Sequence, residues 1–309
     1  MPVLNRRRFL TITAAAAGTL PLGLRAHAEP AKHWVGMALG ARASIRLDHP
    51  DPDGIILAVR GEIERLEQIF SLYRANSELS RLNREGELAH PSLDMVELLS
   101  LCGPIHMATS GLFDPTIQSV WATFAEYHAS GRTPDDAAIN AALERVGWSD
   151  VAIAPDRISL RRPGMALTLN GIAQGYIADK VALLLRQKGL DNILIDTGEF
   201  YALGRMPQGD GWPIELRSDQ NTHNVRRLRL AHAALASSSP LGTVFDAAGR
   251  VGHIIDPRTG QPPQTTLSLV SVRAPTAAQA DAFSTALCLM STDEIAAVAA
   301  TQKDIRVIV

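Results

Sequence analysis

The sequence has few cysteines, few aromatic residues and almost no excess of charge. Its 309 residues include two cysteines and 5% aromatic residues, against 46% hydrophobic and 20% charged residues. This mixture excludes collagen-like, disordered and coiled-coil proteins. Thirty basic and 32 acidic residues give a formal charge of −2, whereas a nucleic-acid-binding protein would carry a basic surplus. The composition is that of a globular protein with one large or two modest domains.

The two cysteines, Cys102 and Cys288, lie in apolar segments with helical spacing. An oxidising compartment would permit one disulfide between them. A cysteine in an apolar helix, however, usually packs as a small hydrophobic side chain. Their spacing matches no metal or redox motif, so we favour two free thiols over a bridge.

The amino-terminal segment resembles an export signal. Residues 5–10 (NRRRFL) contain a twin-arginine pattern, residues 12–24 are weakly apolar, and residues 26–28 (AHA) suit a signal peptidase. A membrane anchor is the alternative, but the apolar stretch is shorter than the ~20 residues that span a bilayer, and no other segment is apolar enough. We therefore predict a signal peptide at 1–28, a domain at 29–309 and a periplasmic location.

Hydrophobic periodicity predicts separate blocks of helices and strands. Helices are predicted at 53–73, 92–110, 133–146, 171–188, 277–289 and 292–300. Strands are predicted at 33–47, 151–154, 157–160, 165–169, 192–196 and 304–309, with more strands between 199 and 272, including 251–257. The blocks are segregated and no internal repeat is present, so the predicted fold class is α+β in one domain.

Asp281 and Thr285 are four residues apart in a predicted helix, so their oxygens lie on one face, a turn apart. A carboxylate and a hydroxyl suit Mg²⁺, which keeps several water or phosphate ligands. The alternative is an aspartate that caps the helix beside a surface threonine. The spacing alone favours that alternative.

His253 stands where a predicted strand runs into a turn rich in proline and glycine. An imidazole at a strand end can act as a base near neutral pH, although a histidine that stabilises the turn is the simpler interpretation. Residues 170–176 (NGIAQGY) open a helix directly after a strand. A helix amino terminus with small residues favours a phosphate, but a glycine there often only makes a turn.

Two polar turns lie beside apolar helices, at 70–83 and 111–116. Asn76 and Ser77 are typical of a helix cap, and residues 114–116 are typical of a turn into the next helix. Each of these interpretations is sufficient when a segment is taken singly.

Taken together and in order, five segments resemble the signatures of the ApbE family of flavin transferases. They are FSLYRANSELSRLN, GLFDPT, GIAQGYIAD, GHIIDPRTG and ADAFSTAL. The resemblance extends from about Trp34 to the carboxyl terminus. Members of this family transfer FMN from FAD to a hydroxyl of a target protein. The resemblance implies a single α+β domain of mixed or antiparallel sheets flanked by helices.

The resemblance also implies a site, residue by residue. Asp281 and Thr285 would be side-chain ligands of Mg²⁺, and the carbonyl of Gly171 would be a backbone ligand. His253 would be the catalytic base. The residues that contact FAD would be Tyr73, Leu112, Phe113, Asp114, Thr168, Gln174 and Ile254.

The sequence departs from the family at four places. Residues 39–41 (LGA) replace the usual Met-Gly-Thr, and residues 197–199 (TGE) replace Gly-Gly-Asp. Gln174 replaces a lysine and Thr168 replaces an acid. The last two changes remove one charge of each sign, and we interpret them as a hydrogen-bonded substitute for an ion pair.

The variants GIAQGYIAD and DTGEFYALG are most similar to the periplasmic NosX branch of the family, which serves nitrous oxide respiration. The acceptor implied for that branch is NosR, a membrane-anchored flavoprotein, so the chain would be membrane-associated through its target. The chain contains no Ser/Thr-Gly-Ala-Ser/Thr acceptor stretch of its own. Modification of the chain by itself is therefore not expected.

The implied activity is Mg²⁺-dependent transfer of FMN from FAD to a serine or threonine hydroxyl, with release of AMP, for maturation of the nitrous oxide reduction system. Two alternatives remain at this point. One is an FAD pyrophosphatase whose acceptor is water, and the other is a flavin-binding protein that stores or delivers FAD. The retained metal ligands and His253 favour catalysis.

Overall fold

The computed structural model describes residues 32–39, 41–47, 51–196, 199–206, 209–218 and 221–309. The predicted signal peptide at 1–28 lies outside the described residues. Among those that are described, no helix combines the length and apolar character that a membrane span requires.

Twelve strands and eight α-helices make up the described part of the chain. In chain order they are β1 (Lys32–Ala38), β2 (Ala41–Leu47), α1 (Pro52–Phe70), α2 (Glu78–Glu85), β3 (Glu87–Ala89), α3 (Leu93–Ala108), α4 (Gln118–Ala129), α5 (Asp136–Leu143), β4 (Val151–Ile153), β5 (Arg157–Leu160), α6 (Ala173–Gln187), β6 (Ile193–Asp196), β7 (Phe200–Leu203), β8 (Trp212–Ser218), β9 (Asn221–Leu230), β10 (Ala233–Ser238), β11 (Val270–Ala274), α7 (Ala277–Leu287), α8 (Thr292–Thr301) and β12 (Arg306–Ile308).

A seven-stranded sheet in the order β1-β2-β6-β7-β10-β11-β12 organises the molecule. A three-stranded sheet, β3-β5-β4, and the hairpin β8-β9 accompany it. Every strand pairing within the described ranges is antiparallel. The α+β prediction is confirmed, and of the two sheet types that it allowed the antiparallel one is observed.

The large sheet is covered by helices on one face and by the β8-β9 hairpin on the other. Successive side chains of a strand point to opposite faces, so each strand can serve two layers. In β10, Ala234 and Ala236 join the main core, which includes α6 and α7. Leu235 of β10 instead joins Phe200 and the apolar residues of the hairpin in a second cluster. This arrangement holds α7 against β10 and β11, where the candidate site lies.

The single strand predicted at 33–47 is wrong, because the segment forms two strands joined by a turn. Leu39 at that turn has a positive φ of 46°. The register pairs Ala38 with Ala41 and continues outward, so the chain reverses directly after the first strand. The apolar residues alternate with the same period in both strands, so the sequence pattern does not reveal the turn between them.

The strands predicted at 165–169 and 251–257 are also corrected. Residues 165–169 form no ladder, because the amide of Asn83 takes both backbone groups of Leu167, with Nδ2 at 2.8 Å from the carbonyl oxygen and the backbone nitrogen at 2.7 Å from Oδ1. In 251–257 the pairing is limited to one isolated bridge between Val244 and Gly252. Ile254 and Ile255, which suggested a strand there, belong to two different apolar clusters: Ile254 to the main core and Ile255 to a smaller cluster.

Cys102 and Cys288 are both buried and are not joined by a disulfide. Burial raises the pKa of each thiol, so both remain protonated. Each packs in the main apolar core, as a small hydrophobic side chain does.

Candidate active site

The α6–α7 junction holds the first of the predicted metal ligands. Asp281 lies one turn inside α7 and is buried, with 4% of its surface exposed. Its Oδ2 accepts a hydrogen bond from the backbone nitrogen of Gly175 at 3.2 Å. A Cβ on Gly175 would collide with the backbone of Ala277, so glycine allows the two helices to approach this closely.

Thr285 and Gly171 meet at the other end of the same junction. A Cβ placed on Gly171 would lie 3.0 Å from Oγ1 of Thr285, so that hydroxyl lies beside the backbone of the glycine turn. Oγ1 of Thr285 is also 3.4 Å from Oγ of Ser238 at the end of β10. The structure therefore brings Gly171, Asp281 and Thr285, the three predicted ligands, to one junction.

The electrostatics of this junction suit a cation. Burial raises the pKa of Asp281 to about 7; the N–H of Gly175 lowers it and the charge of Asp179 raises it. Burial and the charge of Asp281 hold the pKa of Glu199 well above its ordinary value. No basic side chain within the described ranges contributes to either shift. A bound cation would offset the cost of two ionised, buried carboxylates.

The donor set fits Mg²⁺ in particular. A carboxylate, a hydroxyl and a backbone carbonyl are hard oxygen donors, and Mg²⁺ usually takes one or two carboxylates and completes its shell with water and substrate phosphates. The described residues contain no group of three or more His, Cys, Asp or Glu side chains arranged to hold a metal.

His253 lies on a tight loop that folds back on itself. Its backbone nitrogen donates to the Thr243 carbonyl at 3.0 Å, and its ring Nδ1 lies 2.9 Å from the same oxygen. A carbonyl oxygen can only accept, so Nδ1 carries the hydrogen. The neutral imidazole then has its lone pair on Nε2, the form that a general base requires.

This loop is fixed to the end of the strand that contacts Thr285, one of the predicted metal ligands. A Cβ on Gly252 would collide with the carbonyl oxygen of Pro240, which follows Ser238 by two residues. On its other side Phe245 packs against Trp121 and Phe124 of α4, with ring centroids 5.3 and 5.5 Å apart. The end of β10 thus connects the histidine loop to α7.

The segment that contains Asp114, one of the predicted FAD contacts, is stabilised by hydrogen bonds between its own residues. Asp114 is buried, and its Oδ1 accepts from the backbone nitrogen and the hydroxyl of Thr116, at 2.8 and 2.6 Å. Burial raises the pKa of this carboxyl. His106 lies alongside, with Nδ1 at 2.9 Å from the Phe113 carbonyl oxygen. The backbone of Thr168 donates to the Pro115 carbonyl oxygen at 2.8 Å, which ties a second predicted contact to this segment.

The other predicted FAD contacts are more dispersed. Leu112, Phe113 and Ile254 are side chains of the main apolar core. Tyr73 is 62% exposed. Gln174 lies in the first turn of α6, next to Gly175.

The proposed hydrogen bond between Thr168 and Gln174 is not observed among the described residues. Instead Oγ1 of Thr168 accepts from the backbone nitrogen of Asn170 at 3.3 Å. The two substitutions still balance in charge, but the side chains do not pair directly.

Three polar residues around the predicted ligands, Asp179, Glu199 and Ser238, had no role in the site predicted from the sequence. Asp179 accepts from two backbone nitrogens at the start of α7. Oγ of Ser238 lies 2.7 Å from Oγ of Ser284, and Oε2 of Glu199 accepts from the backbone nitrogen of Ser237 at 3.2 Å. Two features of the sequence point to Asp179: it is the last residue of the GIAQGYIAD segment, and positions 171, 175 and 179 are four residues apart.

Comparisons with known proteins identify the class. A model of the ApbE family matches residues 39–309. The FAD:protein FMN transferase of Haemophilus influenzae is 30% identical over 246 residues, which cover 74% of this chain and 70% of that protein. The enzyme of the same name from Vibrio cholerae is 27% identical over 301 residues, covering 93% of this chain and 90% of that protein.

The fold agrees with solved structures. The flavin transferase ApbE from Vibrio cholerae superposes with a TM-score of 0.78 at 25% identity, covering 90% of this chain and 93% of that one. The ApbE protein from Thermotoga maritima has a TM-score of 0.81 at 22% identity with the same coverage, and it shows the shared fold.

The fold is thus that of the flavin transferases. The chain belongs to the ApbE family, as the five motifs predicted, because the family model covers most of its length. Its homologues are named FAD:protein FMN transferases, which are enzymes, so the prediction of an enzyme is confirmed.

Proposed function

We propose that the chain transfers FMN from FAD to a threonine or serine hydroxyl of an acceptor flavoprotein, in a Mg²⁺-dependent reaction that releases AMP. The observation that carries this proposal is the convergence of Gly171, Asp281 and Thr285 at the α6–α7 junction. The names of the homologues support the choice of FAD as donor and of a protein as acceptor.

The residues of the proposed site have two roles: some bind the metal ion, and His253 accepts a proton. Asp281, Thr285 and the Gly171 carbonyl would hold the ion. When bound, Mg²⁺ supplies neutralisation of the charge on the FAD diphosphate. The acceptor oxygen forms a bond to the phosphorus on the FMN side while the bond from that phosphorus to the bridging oxygen breaks. AMP leaves with the electron pair, and Nε2 of His253 takes the hydroxyl proton.

The amino-terminal segment and two motif variants support the proposed location and partner. The twin-arginine pattern at 5–10 supports export to the periplasm. The acceptor domain would then face the periplasm. The similarity of GIAQGYIAD and DTGEFYALG to the NosX branch supports a membrane-anchored, NosR-like acceptor and a role in nitrous oxide reduction.

A covalent labelling assay tests the activity. The chain from residue 29 is incubated with FAD, Mg²⁺ and a peptide that carries the Ser/Thr-Gly-Ala-Ser/Thr acceptor stretch. We expect flavin fluorescence to stay on the peptide in a denaturing gel and AMP to appear in equal amount. Release of AMP without labelling would identify a pyrophosphatase that uses water. Tight FAD binding without AMP would identify a delivery protein.

Charge balance at two of the four family departures, Thr168 and Gln174, gives a second prediction. Thr168→Asp alone adds a negative charge near the FAD diphosphate, so we expect weaker FAD binding. Adding Gln174→Lys restores the balance, and we expect the double variant to bind FAD close to the wild-type level, with a coupling of about 0.5–3 kcal/mol between the two sites. Titration of flavin fluorescence measures both affinities. Loss of FAD binding in the double variant would contradict the compensation.

A further inference from the structure

Two rows of residues with a four-residue period face each other across the α6–α7 junction. One row, 171, 175 and 179, runs through the glycine turn and α6. The other, 277, 281 and 285, runs along α7. Residues four apart lie on one face of a helix, so each row forms a ridge toward its neighbour.

The contacts pair these rows in antiparallel order. Asp179 meets the start of α7 at Ala277, Gly175 donates to Asp281, and Gly171 lies against Thr285. The metal ligands occupy the last two pairs and Asp179 occupies the first. A slide of α7 along α6 by one turn, about 5.4 Å, would break all three pairs at once.

Asp179 anchors this register with both carboxylate oxygens. Oδ1 accepts from the backbone nitrogen of Ala277 at 2.7 Å, and Oδ2 accepts from that of Ala278 at 2.9 Å. Those nitrogens have no partner inside α7, since the first four N–H groups of a helix lack one. A charged acceptor at a helix amino terminus is also favoured by the helix dipole. The same end of α7 has its own cap, because the side chain of Thr276 accepts from Gln279 at 3.3 Å.

We propose that Asp179 is a positioning residue for the metal site: by capping α7 from α6, it sets the register that brings Asp281 and Thr285 to Gly171. In this proposal Asp179 acts through the backbone of α7, which its two carboxylate oxygens hold, and is not itself a ligand. This inference rests on the proposed function for the identity of the ligands. Its structural part, the register of the two helices, does not depend on a metal.

The test compares two caps on the same helix end. Asp179→Ala removes the cap that comes from α6, and Thr276→Ala removes the cap that comes from the chain of α7 itself. Both variants lose hydrogen bonds to the first turn of α7, so general weakening of that turn is common to them. Only Asp179→Ala removes hydrogen bonds between α6 and α7. Asp179→Asn retains one acceptor oxygen and serves as the conservative variant.

Metal affinity is measured as the binding of Mn²⁺, from the electron paramagnetic resonance signal of the free ion. We expect Asp179→Ala to weaken Mn²⁺ binding by about 10–100-fold, the usual effect of losing a group that orients a metal ligand. Asp179→Asn should recover part of the loss, and Thr276→Ala should bind as the wild type does. Equal loss in the two alanine variants, or no loss in Asp179→Ala, would overturn the proposal.

A second readout uses the metal-free protein. The Gly175 amide is hydrogen-bonded to Asp281 only while the register holds, so its hydrogen exchange reports on the register directly. We expect faster exchange in Asp179→Ala and unchanged exchange in Thr276→Ala. If wild-type protein fails to bind Mn²⁺, the proposed metal site is wrong, and this exchange still decides the role of Asp179. Unchanged exchange in Asp179→Ala would refute that role.

Discussion

Asp281→Asn is expected to lower FMN transfer by about 10³-fold or more, because several kcal/mol of charge neutralisation on the diphosphate would be lost with the ion. The asparagine is close in shape and keeps an oxygen for the Gly175 amide. It removes the only carboxylate among the three predicted ligands. Transfer is measured as covalent flavin on the acceptor peptide, across a titration of Mg²⁺.

Although Asp281→Asn should lower activity, it should increase the stability of the metal-free protein at pH 8. Burial raises the pKa of Asp281 to about 7, above the ~3.9 of an unfolded aspartate. The folded state therefore binds the proton more tightly, and the contribution of Asp281 to the free energy of unfolding falls as the pH rises from about 4 to 7. At pH 8 the ionised carboxylate is a cost that asparagine lacks.

Thermal unfolding at pH 8 and pH 5 separates the two effects. In chelator, Asp281→Asn should unfold at a higher temperature than wild type at pH 8, with a smaller difference at pH 5. Addition of Mg²⁺ should raise the unfolding temperature of wild type but leave that of the variant unchanged. Asp135→Asn is the control, since Asp135 caps α5 on the surface and asparagine caps equally well. A fully active variant with chelator-insensitive transfer would refute the metal assignment.

Helix starts were predictable because capping is local chemistry. Ser92 was predicted to begin a helix, and its side chain accepts from Met95 in the first turn of α3. Ser77, in the polar turn at 70–83, and Asp135, near the start of the helix predicted at 133–146, cap α2 and α5 in the same way. In each case the donor and the acceptor are three residues apart, so the sequence contains the whole interaction.

Strand pairing was harder to predict because the partner is distant. The alternation of Met165, Leu167 and Leu169 correctly indicates a segment with one buried face. It does not reveal where the backbone hydrogen bonds go. The side chain of Asn83, which is 84 residues away in sequence, satisfies Leu167. A periodic pattern therefore predicts burial along a segment but not the ladder that the segment joins.

In the candidate site, too, the contacts between residues that are distant in sequence were the ones that the sequence pattern did not predict. The spacing of Asp281 and Thr285 predicts one helical face, but the sequence pattern alone favoured a surface threonine. The third predicted ligand, Gly171, lies more than one hundred positions earlier, and the motif resemblance added it to the predicted site. The cap from Asp179 to Ala277, 98 residues apart, escaped prediction because a helix start is usually capped from its own chain.

His253→Ala is expected to lower the kcat of FMN transfer by about 10²–10⁴-fold, the usual contribution of a general base. The contact of Nδ1 with the Thr243 carbonyl directs the lone pair of the neutral ring to Nε2. Alanine removes that base but leaves the loop anchored by Gly252 and Phe245. The KM for FAD should therefore change little.

His106 provides the matched control, because its Nδ1 also lies 2.9 Å from a backbone carbonyl oxygen, that of Phe113. That carbonyl belongs to the segment proposed to contact FAD, so His106→Ala should raise the KM for FAD and leave kcat near the wild-type value. The two variants thus separate proton transfer from flavin binding with the same substitution. If His253→Ala instead weakens FAD binding and preserves kcat, His253 is a binding residue, and another group must take the acceptor proton.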